Sequence, residues 1–176
     1  MQPIGRELAT ALANAGILKK SPRAVDGAEV VVDTRGLGTR PHLEALIAAT
    51  IATNAVAIGA TLLAGVANSG TAWATSAARA AGLPHCNVLV DGPRSKGLGR
   101  QVEPDEISGH RLVLIDNWLS TGDSLRTARR IVESLGATVA AAVVISAAID
   151  VADLDGIPVA VLWPRDLLQT AVDAST

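Results

Sequence analysis

Leu112-Val113-Leu114-Ile115-Asp116-Asn117-Trp118-Leu119-Ser120-Thr121-Gly122-Asp123-Ser124 is the stretch on which the reading of this chain turns. Four apolar residues, Leu112–Ile115, predict a buried strand, and the strand ends on an acid, Asp116. A hydroxyl-rich turn follows, in which Gly122 permits backbone angles that other residues avoid. A helix is expected from Ser124 to Leu135, ended by Gly136. A helix start offers unpaired N–H groups and the positive end of the dipole, which together suit a phosphate. Ser120, Thr121 and Ser124 add hydroxyl donors, and Asp116 can accept hydrogen bonds from sugar hydroxyls. The plain alternative is a helix cap, with Asp123 or Ser124 closing the first turn and nothing more.

Outward from this stretch, helical patterns alternate with short β-branched runs, as in parallel βαβ units. The pattern predicts helices over Ile4–Ala15, from Pro41 to about Ile58, over Thr71–Ala81 and over Pro164–Thr170. It predicts strands at Val30–Val32, Leu62–Val66, Cys86–Val90, Val139–Ile145 and Val159–Leu162. The expected fold is α/β, a parallel central sheet flanked by helices. One domain is expected over residues 1–176, with a short N-terminal hood to about residue 40. Asp91–Ser108 holds three glycines, two prolines and several charges, so it is expected to be a long mobile loop, in the manner of a functional lid.

Composition narrows the classes. Of 176 residues, 49% are hydrophobic, enough for a substantial core. The formal net charge of -2 gives no pull toward nucleic acid or anionic membranes. Three tryptophans and no other aromatics leave few stacking platforms for single-stranded nucleic acid. One cysteine excludes an internal disulfide and fits a reducing compartment. Ala45–Ala67 is uncharged, but its threonines, Asn54 and Gly59 favour a helix, a turn and a buried strand over a membrane span. Met1–Glu7 lacks the features of a secretory leader, so a cytoplasmic protein is expected. His42, His85 and His110 have no metal-ligand spacing.

The quoted stretch resembles the ribose-phosphate signature of type I phosphoribosyltransferases: a strand, two acids, two loop residues and a Thr-Thr-Gly-Gly-Ser-like turn. Other segments resemble the orotate branch of that family. They are Val32-Asp33-Thr34-Arg35, the strand and turn Ala64-Gly65-Val66-Ala67-Asn68-Ser69-Gly70, the loop end Gly97–Glu103, and Gly156-Ile157-Pro158 with Asp166-Leu167-Leu168. The resemblance implies transfer of a phosphoribosyl group from phosphoribosyl diphosphate to a nitrogenous base, orotate by default, in pyrimidine nucleotide synthesis. It implies Asp116 and Asn117 on the ribose, Ser120, Thr121, Gly122, Asp123 and Ser124 on the 5-phosphate, and Asn68, Ser69 and Gly70 on the diphosphate. It also implies Mg2+ carried by the substrate's own oxygens rather than by direct protein ligands. A homodimer in which the mobile loop reaches the neighbouring site is implied too.

The chain departs from that pattern at identifiable places. Asn117 stands where the family has its second acid. Val90-Asp91 stand where its loop has an Arg-Lys pair, which leaves Arg94, Lys96 and Arg100 as the loop's cations. Ile145-Ser146-Ala147-Ala148 lacks the arginine that pairs with the orotate carboxylate, and the family's aromatic pair falls on Val30-Val31. A second reading follows from these departures: a non-catalytic relative that binds phosphoribosyl diphosphate or a nucleotide as a sensor or partner subunit.

Overall fold

The computed structural model describes residue 10 and residues 13–25 and 28–164. The expected helices over Ile4–Ala15 and Pro164–Thr170 lie largely or wholly outside the described residues. A main sheet takes the strand order β5-β4-β3-β6-β7-β9-β8. Its members are β3 (Leu62–Val66), β4 (His85–Val88), β5 (Val102–Glu103), β6 (Arg111–Leu119), β7 (Thr138–Ala147), β8 (Asp153–Leu154) and β9 (Ile157–Trp163). The inner strands β4, β3, β6, β7 and β9 are parallel, and the short outer strands β5 and β8 run antiparallel to their neighbours. The expected α/β architecture is what forms.

Strands buried on both faces explain the near-continuous apolar runs. All of β3 is buried, and so are Leu112–Ile115 of β6. Helices α1 (Pro41–Ala57) and α2 (Ser69–Ala81) cover one face. Leu43, Ile47 and Ile51 of α1 and Trp73, Ala74 and Ala77 of α2 pack there on Leu63, Val113, Ile115 and Val143. Helix α3 (Asp123–Ser134) covers the other face, where Leu125, Ala128 and Val132 meet Leu112, Leu114 and Cys86. Pro41 opens α1 at its first turn, where proline's missing N–H costs nothing. Among the described residues no helix is long and apolar enough to cross a membrane. Gly59, at φ +71°, makes the turn expected between α1 and β3.

Three expectations need correction. The polar stretch before Val30 forms a strand, β1 (Leu18–Val25), paired antiparallel with β2 (Ala28–Val32) in a separate two-stranded sheet. Its base is anchored by the buried Ile17, which joins Leu37 and Trp163 in the core. The second correction concerns β6, which continues past Asp116 to Leu119 because β7 keeps pairing with it: Asp116 lies opposite Val144 and Trp118 opposite Ser146. The third concerns Asp91–Ser108, which is not without structure: β5 lies within it and pairs with β4.

Candidate functional site

Strand order reverses between β3 and β6. The chain runs from β3 outward to β4, and from β6 the opposite way to β7 and β9. In open α/β sheets ligands bind beyond the carboxyl ends of the strands at such a switch point. Two glycines bring the parts together there. A Cβ on Gly65 would meet Thr71 Cα at 2.7 Å, and one on Gly70 would collide with the Ile115 carbonyl oxygen. Their bare backbones let the start of α2 settle onto β3 and β6. The Ala67–Asn68 peptide just before it is cis.

This close approach joins the two expected subsites. Ser69 Oγ donates to Asp116 Oδ1 at 3.0 Å. The same oxygen takes the Asn117 backbone N–H at 2.7 Å. Asp116 is only 8% exposed. Burial pushes its carboxyl above the ordinary range, and the hydrogen bonds from Asn117 and Ser69 pull the other way. Asn117 Nδ2 donates to Thr34 Oγ1 at 3.4 Å, so the Val-Asp-Thr-Arg segment lies over the end of β6. The first N–H groups of α2, from Ser69 and Gly70 onward, have no acceptor within the helix and can face an anion.

The Ser120–Ser124 turn does not take the form of the plain side-chain cap of the alternative reading. Gly122 occupies the cap position at φ +86°, and no side chain caps the helix. Neither Asp123 nor Ser124 caps α3. Thr121 Oγ1 donates to Asp123 Oδ2 at 2.8 Å and accepts the Asp123 N–H at 3.3 Å. The Asp123 carboxylate is thus turned to Thr121 and to Arg126, which it meets at 3.2 Å. Only the backbone N–H of Asp123 suits a phosphate. Arg126 also donates to the Thr121 carbonyl at 2.8 Å and to Asp155 at 2.6 Å, which ties the turn to the β8–β9 corner. Ser120 is half-buried, and Thr121 and Ser124 are exposed.

The loop cations stand apart from this cluster. Arg94 Nε bonds both carboxylate oxygens of Glu103 at 2.9 Å. Arg100 pairs with Asp105 at 3.1 Å and with Glu106 at 3.6 Å. Lys96 is exposed and makes no ion pair among the described residues. None of the three lines the cleft of about 310 Å³ beside Asn68 and Ser69, which is walled by Thr34, Arg35, Glu44 and Trp73. Composition and spacing did not mark Thr34, Arg35 or Glu44 as site residues. The Val-Asp-Thr-Arg likeness was the available signal for the first two. Glu44 carried no signal, since its partner, the Ser76 hydroxyl at 2.8 Å, is 32 residues away.

Among the described residues no group of three or more His, Cys, Asp or Glu side chains could hold a metal. Asp116 is a single buried carboxylate, which fits a magnesium ion held chiefly by substrate oxygens.

Comparison with known proteins gives this geometry its class. The family described as "Phosphoribosyl transferase domain" matches residues 41–174, and the chain belongs to it. Within that family the likeness runs to orotate phosphoribosyltransferases. The one from Levilactobacillus brevis is 37% identical over 86 residues, which is 49% of this chain and 40% of the relative. The chain therefore spans about two fifths of the length of that curated relative. The orotate phosphoribosyltransferase of Aeropyrum pernix superposes with a TM-score of 0.74 at 22% identity, covering 95% of this chain and 98% of that one. The Mycobacterium tuberculosis orotate phosphoribosyltransferase in complex with 5-phospho-alpha-D-ribosyl 1-diphosphate gives 0.70 at 20% identity, covering 93% and 90%. Likeness at these identities concerns the fold.

Proposed function

We propose that the protein transfers a phosphoribosyl group from phosphoribosyl diphosphate to a nitrogenous base, with orotate as the default acceptor. The observation that carries this reading is the 3.0 Å hydrogen bond from Ser69 to Asp116. It couples the turn suited to a diphosphate with the strand end suited to a ribose, at the switch point of the sheet. In the reaction the C1–O bond to diphosphate breaks, a bond from the base nitrogen to C1 forms, and the proton of that nitrogen is released to solvent. The leaving oxygen keeps the electron pair, so cations and N–H donors must meet it.

The residues divide the task. The N–H groups of Asn68, Ser69 and Gly70 hold the diphosphate. Ser120, Thr121, Gly122, Ser124 and the Asp123 N–H hold the 5-phosphate. Asp116 accepts from a ribose hydroxyl, in the place Ser69 now fills, while Asn117 donates or accepts beside it. Arg94, Lys96 and Arg100 reach the diphosphate only after Arg94 and Arg100 leave their acids. Magnesium, bound through the substrate, would neutralise diphosphate charge. On the same reading residues 1–176 act as one unit in the cytoplasm, as a homodimer whose loops serve the neighbouring site.

The test is diphosphate release from phosphoribosyl diphosphate with Mg2+, with and without orotate, then across a panel of other bases. Release that depends on orotate supports the default acceptor, and release with another base shifts it. A second reading, a non-catalytic binder acting as sensor or partner subunit, draws on the ion pairs that occupy Arg94 and Arg100. Binding of phosphoribosyl diphosphate without release, whatever the base, would favour it.

A further inference from the structure

We propose that Arg35 contacts the diphosphate of the sugar substrate, from the hood side of the cleft. This inference rests on the phosphoribosyl-transfer reading above. A departing diphosphate requires positive charge in place before the bond breaks. Beyond the exposed Lys96, the loop supplies little of it. Asp91 brings a negative charge, Arg94 is held on both oxygens of Glu103, and Arg100 is shared between Asp105 and Glu106.

Arg35 is in the opposite situation. It lines the cleft together with Asn68 and Ser69, whose turn offers backbone N–H groups. Its guanidinium has no hydrogen-bond or ion-pair partner among the described residues. Its backbone is pinned on both sides. Thr34 takes the amide of Asn117 at 3.4 Å, Gly36 N–H donates to Asp33 at 2.9 Å, and Leu37 is fully buried. An anchored backbone carrying an uncommitted five-donor fork is suited to a phosphate group.

The cleft also holds one acid, Glu44, with one oxygen engaged by Ser76. That carboxylate opposes a bare anion, so magnesium diphosphate is expected to bind better than diphosphate alone. Position 35 would then offset the cations lost from the loop, and the charge would come from a more rigid element.

The experiment is calorimetric titration of the full chain, wild type against Arg35→Gln and Arg35→Lys. The probes are magnesium diphosphate and ribose 5-phosphate, the second reporting on the Ser120–Ser124 turn. The expected result is a loss of about ten-fold or more in magnesium diphosphate affinity for R35Q, from the removed charge-assisted bonds. R35K should recover part of it, and ribose 5-phosphate affinity should hold in both variants. Unchanged diphosphate affinity in R35Q overturns the role of Arg35 and leaves the site reading intact. An equal fall for both probes also overturns it, because the effect would then be general. A wild-type protein that binds neither probe overturns the site reading, and the assignment of Arg35 with it.

Discussion

The two strand-end turns and the charged loop are held by different physics. The turns after β3 and β6 are fixed by close backbone approach and part-buried hydrogen bonds: Gly70 lies against the Ile115 carbonyl, Ser69 bonds Asp116, and a Cβ on Gly122 would meet the Leu154 side chain at 2.8 Å. In the Asp91–Ser108 loop Val102 and Ile107 are buried and β5 pairs with β4, but its arginines are held by exposed ion pairs, with Arg94 57% exposed where it meets Glu103. Buried contacts specify geometry closely, because any change leaves a clash or an unpaired group. Exposed pairs contribute little and can exchange partners. The turns are thus fixed as core is, and the loop arginines are adjustable as surface is.

The largest effect expected is at Gly70. Gly70→Ala drives a methyl into the Ile115 carbonyl and should destabilise the fold by about 3 kcal/mol or more, as overpacking against backbone does. Urea denaturation measures it. A loss under about 1 kcal/mol would mean that the turn is not rigid, and the contrast would fail. Next comes Asp116→Ala, which strands the Ser69 and Asn117 donors. It should cost about 1–3 kcal/mol in stability. Phosphoribosyl diphosphate affinity should fall about ten-fold or more in calorimetry.

Asp116 also gives a pH signature. Its carboxyl is raised above the ordinary 3.8 by burial, so the folded state holds its proton more tightly than the unfolded chain. The resulting stabilisation is complete below pH 3.8 and is lost as pH rises through the folded value. The stability advantage of wild type over Asp116→Asn should therefore shrink across that acid window and stay level at neutral pH. A gap that widens with rising pH would contradict the burial argument. The smallest effect is expected in the loop. Glu103→Gln should change stability by less than about 1 kcal/mol, since the pair is exposed. It should also release Arg94, seen as a steeper salt dependence of magnesium diphosphate binding. A large stability loss there would move the loop into the rigid class.

The same division explains what could be read in the sequence. Leu62–Val66 and Leu112–Ile115 were legible because strands buried on both faces need unbroken apolar runs. Gly59 and Gly82 marked the ends of α1 and α2 because turns with positive φ favour glycine. β1 was missed because Lys19, Lys20 and Arg23 hide its periodicity, and β5 and β8 because two residues carry no period. The end of β6 is not legible, since Asp116 breaks the apolar run while pairing with β7 carries the strand on to Leu119. Asp116, Asn117 and the turns were recognisable from the chemistry they share with the family. The commitments of Arg94, Arg100 and Asp123 were not, because an ion pair depends on how a loop folds back.

The overshoot of β6 has a consequence for ligand size. β3 ends at Val66, level with Asp116, while β6 continues three residues further to Leu119. At roughly 3.3 Å per residue the end of β6 stands about 10 Å beyond the end of β3. On the proposed reading that offset is a ruler whose two marks are anion sites and whose gap is one sugar. A ligand with phosphoryl groups at both ends of a pentose spans it. A compact diphosphate or a singly phosphorylated sugar meets one mark and leaves the other empty, so the sheet itself measures the donor before any side chain examines the base.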